Sequence, residues 1–530
     1  MKRGFRLRTQ IPENRTSFTQ TVEHHKTGKM KNSDPFKNVV VLMLENRSFD
    51  NLLGYLYEDG VPADKKFKGL QNKSISNPVP KRSVDYQEGK VVQVTKTENY
   101  HHPFPDPGEE YQHVNSQIYN HVDPDNIGVA AHDMKPPYNI PQPAPKPPPM
   151  NGFVNDYINK LQALDGKEPT EEDYEQIMEC FDPKSIPVLT TLAREFAVFD
   201  HWFCSVPSQT WCNRAFWHAA TSGGKVLNAV GVGQGGIIDS IERMLEWKEI
   251  VWKKPTLFDR LKEINKSYTI YTELFPLTCV VNGVKYLKNT KFSFNDFLKD
   301  AKKGDLPDYS FIEPKIFGQH NDQHPSISKH NQTRAGSVLL GEKLIWDVYN
   351  AVKNSPQRDE TLLIITHDEH GGCFDHVAPP PAVPPENDMN GELGFSFDRL
   401  GLRVPMVMIS SYIEKNTIIN DVHDHTSFIK TMSEIWGFEG LTDRDKNAGS
   451  FANVFSDKKR DCWPCIDMPI IKEVPDVDYH HDHLNGLQKS ILRATHIIAK
   501  DFKEEALKDL HQIEKVGEAI KHIKILKNIL

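Results

Sequence analysis

Short runs of consecutive apolar residues, each closed by polar ones, set the pattern of this chain. Asn38-Val-Val-Val-Leu-Met-Leu44 is β-branched and apolar almost throughout, as a strand buried on both faces of a parallel sheet should be. Thr361-Leu-Leu-Ile-Ile-Thr366 and Val404-Pro-Met-Val-Met-Ile-Ser410 repeat the pattern and predict two more strands of that kind. The stretch from Leu339 to Val352 has helical spacing and precedes the second strand, giving the alternation of an α/β sheet. Beyond about residue 484, Leu487, Ile491, Ile498, Phe502, Leu507, Leu510, Ile513, Ile520 and Ile523 recur at helical spacing among lysines and glutamates. This predicts an amphipathic helix or helical hairpin docked on the core, although its basic end, Lys521 to Lys527, also suits a membrane surface. Residues 1–37 are polar and read as a leader. Residues 58–150 read as a polar insert ending in a proline run, Pro136 to Pro149, that predicts a stiff, extended connector.

Composition narrows the function. Of 530 residues, 38% are hydrophobic, enough for a packed core, and Lys+Arg 64 against Asp+Glu 72 leaves a formal charge of −8. A dedicated nucleic-acid binder would show a basic surplus, so no nucleic-acid partner is expected. No apolar run approaches the roughly 20 residues needed to span a bilayer. Lys2, Arg3, Arg6 and Arg8 are followed by polar residues, not an apolar stretch, so no signal peptide is expected. That places the chain in the cytoplasm, or outside the cell by a non-classical route. The seven cysteines are scattered and odd in number, which suits reduced thiols. Cys462-Trp-Pro-Cys465 has the spacing of redox and zinc sites, but no second CxxC pairs with it.

Candidate chemistry lies just after the strands, where ligands bind in open α/β sheets. Glu45-Asn-Arg-Ser-Phe-Asp50 offers a carboxylate and an amide to a hard cation, and reads equally as a helix start capped by Ser48 or Asn46. His367-Asp-Glu-His-Gly-Gly-Cys-Phe-Asp-His376 crowds histidines and carboxylates into ten residues, and the abutting Asp368 and Glu369 favour a bound cation. Cys204 to Phe216 offers hydroxyls at Ser205, Ser208 and Thr210, which composition does not rank, with Asn213 and Arg214 beside them. His324 and His425 stand in two further polar clusters, 321–325 and 422–427.

Glu45 to Asp50, Asp368-Glu-His-Gly-Gly372 with Asp375-His376, and Thr210-Trp-Cys-Asn-Arg214 together resemble the phosphoesterase family of phosphatidylcholine-hydrolysing (non-specific) phospholipases C and a related acid phosphatase. In the same order come Asp106-Pro-Gly-Glu-Glu110, Met150 to Phe153, Leu306 to Pro314, Asp398 to Pro405 and His425-Thr-Ser427. The resemblance implies an alkaline-phosphatase-like α/β core, a mostly parallel sheet flanked by helices, over residues 38–458. Inserts at about 58–150 and 225–300 and a largely helical C-terminal extension, 459–530, complete the expected organisation. It implies that Glu45, Asn46, Asp368 and Glu369 hold one divalent metal ion (Zn²⁺, Ca²⁺ or Mn²⁺), that Thr210 is the nucleophile, and that His324 or His370 protonates the leaving group. Asn213, Arg214, His113 and His425 are the implied substrate-binding residues. Where some members carry histidine after the Asp-Pro-Gly turn, this chain has Glu109, leaving that phosphate contact missing or supplied by His113. The implied activity is release of diacylglycerol from phosphatidylcholine and other glycerophospholipids, with transient membrane-surface contact and no obligate protein partner. A broad acid phosphatase and a non-catalytic binder of lipid headgroups are the alternatives.

Overall fold

An unbroken apolar strand needs hydrogen-bonded neighbours on both edges, and the 38–44 run has them. The structure, a computed structural model, describes residues 35–229, 236–325, 338–469, 484, 486–500, 513 and 515–529. All of these lie in one unit, Pro35–Leu530. The leader up to Asp34, and the tail positions Phe502, Leu507 and Leu510, lie outside the described residues.

Eight strands form the main sheet: β1 (Asn38–Leu44), β2 (Ala197–Phe199), β3 (Tyr268–Tyr271), β4 (Thr290–Lys291), β5 (Tyr309–Ile312), β6 (Thr361–His367), β7 (Met406–Ile409) and β8 (Thr417–Ile419). Their order is β8-β2-β7-β6-β1-β5-β3-β4. β1 pairs parallel with β5 on one side and β6 on the other, in a register that sets Leu44 beside His367. The residues that follow these two strands, 45–46 and 368–369, therefore emerge side by side. The helices that matter below are α1 (Phe49–Leu53), α2 (Tyr111–Tyr119), α3 (Phe153–Asp165), α4 (Thr210–Ala219), α5 (Val338–Lys353), α6 (His425–Trp436), α7 (Gly486–Lys500) and α8 (Val516–Ile529). The α/β architecture is as expected, and α5 matches the predicted helix to within a residue at each end.

One strand departs from expectation. β7 runs antiparallel to β6, with Thr366 opposite Met406 and Leu363 opposite Ile409. A parallel strand needs a crossover back to its starting edge, usually a helix. Between β6 and β7 there is only a 3₁₀ turn at Glu392–Gly394, so the chain stays at the carboxyl edge and re-enters from there. Arg403 stands at that entrance, fully buried. Its Nε donates to Asp375 Oδ1 at 3.0 Å, Nη2 to Asp50 Oδ1 at 2.9 Å, and Nη1 to the carbonyls of Lys68 and Asp200 at 2.7 and 2.8 Å. His376 N completes the cluster by donating to Asp50 Oδ2 at 2.8 Å.

The polar insert builds a second, smaller core in which α2 and α3 pack Val114, Ile118, Phe153, Tyr157 and Ile158 against Phe374 and Leu402. The proline run is not the straight strut expected. It turns at Tyr138 and Asn139, both at positive φ, because the Asn139 amide bonds the Asp123 N–H and Ser116 Oγ and folds the run back on α2. In the tail, Leu487, Ile491, Ile498 and Ile523 are buried, and Gln488 Nε2 donates to the Ile316 carbonyl at 2.9 Å. The described tail helices are docked. Cys462 and Cys465 are exposed free thiols. Among the described residues no helix is long and apolar enough to cross a membrane.

The Arg403 cluster leads to a stability prediction. Arg403→Met leaves Asp375 buried without its counter-charge and Asp50 with His376 as its remaining partner, and should cost about 3–5 kcal/mol in urea unfolding. A loss below about 1 kcal/mol would show that the cluster does not hold the fold.

Candidate active site

The site forms where β1 and β6 end. Asn46 adopts φ 52, a left-handed backbone that asparagine tolerates better than most residues, and this turns the chain sharply after Glu45. Gly371 (φ 62) lies against that turn; a Cβ there would sit 2.2 Å from the Asn46 carbonyl oxygen, so only glycine fits. Ser48 caps α1, accepting from Asn51 N at 3.1 Å, so the capping reading of the first motif holds alongside any ligand role.

Thr210 is the first residue of α4, and its Oγ1 donates to Glu45 Oε2 at 3.1 Å, with Asn46 Oδ1 3.5 Å away. The helix N-terminus beneath it favours negative charge. One turn on, Arg214 donates from Nη2 to Glu45 Oε1 and to the Met43 carbonyl, and its Nε lies 3.5 Å from Asp368 Oδ2. Asp368 Oδ1 accepts from Asn46 N at 3.2 Å and Glu369 N at 2.8 Å, while Glu369 Oε2 accepts from Gly371 N at 2.7 Å. The four expected metal-holding residues and the expected nucleophile are thus brought together, all buried.

The Asn46 amide has a second side. Its Nδ2 donates to Glu109 Oε2 and to His324 Nε2, the latter at 2.9 Å. An amide nitrogen only donates and the Pro325 carbonyl, 2.8 Å from His324 Nδ1, only accepts. His324 is therefore in the Nδ1–H tautomer, with its Nε2 lone pair turned to the site. Asp106, Glu109 and His324 bring their ligand atoms within 4.8 Å of one another.

Other expected residues do different work. Asn213 spends its side-chain amide on the loop before Thr210, accepting from Val206 N at 2.9 Å and donating to the Ser208 carbonyl at 2.8 Å. His425 Nε2 is 2.6 Å from the Asp368 carbonyl and so fixes the backbone behind that carboxylate. His113 bonds Asp156 at 2.8 Å, and His370 donates from Nε2 to Gln117 Oε1 at 2.8 Å. Among the described contacts neither touches Thr210 or Asn46. Burial lowers His370 to about 3, so it is neutral. Of the crowded 367–376 motif only Asp368 and Glu369 enter the site, since His367 bonds Gln323 while Asp375 and His376 belong to the Arg403 cluster. Glu109 and Gln209, joined at 3.2 Å, border the site although no sequence motif marks them as site residues. The only sequence signal for Glu109 is a pair of acids after the Asp-Pro-Gly turn.

The electrostatics are strained. Burial pushes Glu45 well above the ordinary carboxyl value, with Arg214 opposing and Asp368 adding to the shift. Burial and then Glu109 and Asp368 do the same to Glu369. Burial, reinforced by Asp106, pushes Glu109 up to about 7.

Residues 36–439 match the phosphoesterase family. The chain belongs to that family. Non-specific phospholipase C6 of Arabidopsis thaliana is 33% identical over 83% of this chain and 75% of its own length. Non-specific phospholipase C5 of the same plant is 32% identical over 94% and 89%. Phospholipase C B of Mycobacterium tuberculosis is 26% identical over 86% and 82%. Among solved structures, a protein in the alkaline phosphatase superfamily from Vibrio parahaemolyticus aligns with 50% of this chain and 64% of its own, at 14% identity and a TM-score of 0.30. As a phosphoesterase, the chain is a phosphoric-ester hydrolase.

The donor set fits a hard divalent cation. Asp368 Oδ2 and Glu369 Oε1 are buried and make no hydrogen bond, and Glu45 Oε2 and the Asn46 amide oxygen both lie against Thr210 Oγ1. Among the described residues two groups of acids and histidine bring their ligand atoms within 4.8 Å of one another: Asp106, Glu109 and His324 beside this site, and Asp50, Asp375 and His376, which Arg403 fills instead. Asp368→Asn should therefore lose one divalent ion per chain in elemental analysis after dialysis. Metal content equal to that of the unsubstituted protein would remove Asp368 from the ligand set.

Proposed function

We propose that the chain is a phospholipase C, cleaving glycerophospholipids such as phosphatidylcholine to diacylglycerol and a phosphorylated headgroup. The observation that carries this reading is the Thr210 hydroxyl, buried at a helix N-terminus and already donating to the Glu45 carboxylate. The names of the plant and mycobacterial relatives supply the substrate class. A binder of headgroups alone has no use for a hydroxyl held this way.

In this reading Thr210 Oγ1 attacks phosphorus and gives its proton to Glu45 Oε2. The bond from phosphorus to the glycerol oxygen breaks, and His324, which must first take up a proton at the Nε2 that faces the site, passes that proton to the departing oxygen. Water then attacks the phosphothreonine ester in line, giving a proton back to His324 Nε2, while Glu45 returns its proton to the departing Thr210 oxygen, so that one hard displacement becomes two easier ones. A divalent cation held by Glu45, Asn46, Asp368 and Glu369 would lower the hydroxyl pKa and offset charge on the phosphoryl oxygens. Arg214 holds Glu45 in place for the proton, and His425 holds Asp368. His370, neutral and committed to Gln117, leaves the acid role to His324. The substrate implies transient contact with a membrane surface.

Thr210→Ala should lower diacylglycerol release from phosphatidylcholine vesicles at least about a thousandfold with an unchanged melting temperature. Retention of more than about a tenth of the rate would point to Ser208, whose buried Oγ makes no hydrogen bond. Dialysis against a chelator should abolish the same activity, and added divalent ion should restore it. Release of phosphate from small monoesters without any diacylglycerol would replace this reading with an acid phosphatase.

A further inference from the structure

We propose that Glu109 sets the charge selectivity of the phosphoryl pocket, favouring phosphodiesters over phosphomonoesters. The proposal rests on the phospholipase C reading and assigns its choice of ester to one side chain.

Glu109 borders the reacting space on three sides. Its Oε2 accepts from Asn46 Nδ2, on the amide whose oxygen lies 3.5 Å from Thr210 Oγ1. Its Oε1 accepts at 3.2 Å from Gln209, the residue immediately before Thr210. Its Oε2 also lies 3.9 Å from His324 Nε2. A phosphoryl group attacked by Thr210 and released toward His324 must therefore pass beside this carboxylate. Both carboxylate oxygens accept from amide N–H groups, and hydrogen bonds of that kind favour the ionised form.

A phosphodiester carries one negative charge, whereas a monoester carries close to two above pH 7. The second charge would sit within a few ångströms of Glu109, which is only 8% exposed, so water screens little of the repulsion. Arg214 does not cancel it, because its charge is directed at Glu45 and Asp368. Esterifying that second oxygen removes the repulsion and leaves the attacked phosphorus unchanged. Glu109 thus acts by raising the cost of a dianion, a repulsive contribution to specificity.

The test uses p-nitrophenyl phosphate and bis(p-nitrophenyl) phosphate, which share a leaving group and differ in charge, with metal-loaded enzyme at pH 8. The readout is the ratio of monoester to diester kcat/KM, so a general loss of rate through a disturbed Asn46 does not enter. Glu109→Gln should raise that ratio about tenfold or more. Glu109→Asp, which keeps the charge, should leave it near the wild-type value. An unchanged ratio in Glu109→Gln overturns the proposal, as does an equal rise in Glu109→Asp, which would make shape the cause. Glu109→Ala, read the same way, replaces the glutamine variant if that one does not fold. Wild-type enzyme that cleaves the monoester but neither the diester nor phosphatidylcholine overturns the phospholipase C reading itself, which separates the two failures.

Discussion

Negative charge packed at the ends of two adjacent parallel strands is the constraint on which the site depends. The β1–β6 register sets Leu44 beside His367, so Glu45 and Asp368 follow as neighbours, with Glu369 next to them and Glu109 closing in from the insert. In a buried environment these carboxylates repel, and one guanidinium, Arg214, reaches only two of them. The remaining excess is what a divalent cation would answer. Stability and function pull against each other here, since the arrangement that attracts a cation is unfavourable without one.

The rest of the architecture counters that repulsion. Gly371 lets the 368–372 loop lie on the Asn46 turn, His425 pins Asp368 from behind, and Asn213 shapes the loop that delivers Thr210. The Arg403 cluster shows a different solution, two buried carboxylates answered by the His376 imidazole and by one guanidinium whose nitrogens are all bonded. Such a group repels a metal, whereas the site with its unpartnered oxygens invites one.

Much of this was legible in the sequence because it is local. Continuous apolar runs announced β1 and β6, and the residues right after them, Glu45, Asn46, Asp368 and Glu369, needed only the rule that ligands gather at strand ends. The direction of β7 was not legible, because an apolar run looks the same in either orientation and only the missing crossover helix decides. Nor was the placement of Glu109, whose partners Asn46 and Gln209 lie 63 and 100 residues away. Histidines misled for the same reason. His367, His370 and His376 sit together in sequence, but the turn at Gly371 and Gly372 sends each to a different neighbour.

The turn that carries Glu109 belongs to the insert and precedes α2, which packs in the second core, whereas Glu45 and Asp368 are anchored by the main sheet. On the proposed mechanism, the parts that would break the ester bond and the part that would border its charge are thus carried by separately packed layers. Insertions or substitutions in the second layer can re-tune which phosphate esters are admitted without moving the reacting atoms. For an evolving lineage this is a form of modularity: one chemical engine, held still by β1 and β6, can acquire new diets by remodelling its doorway.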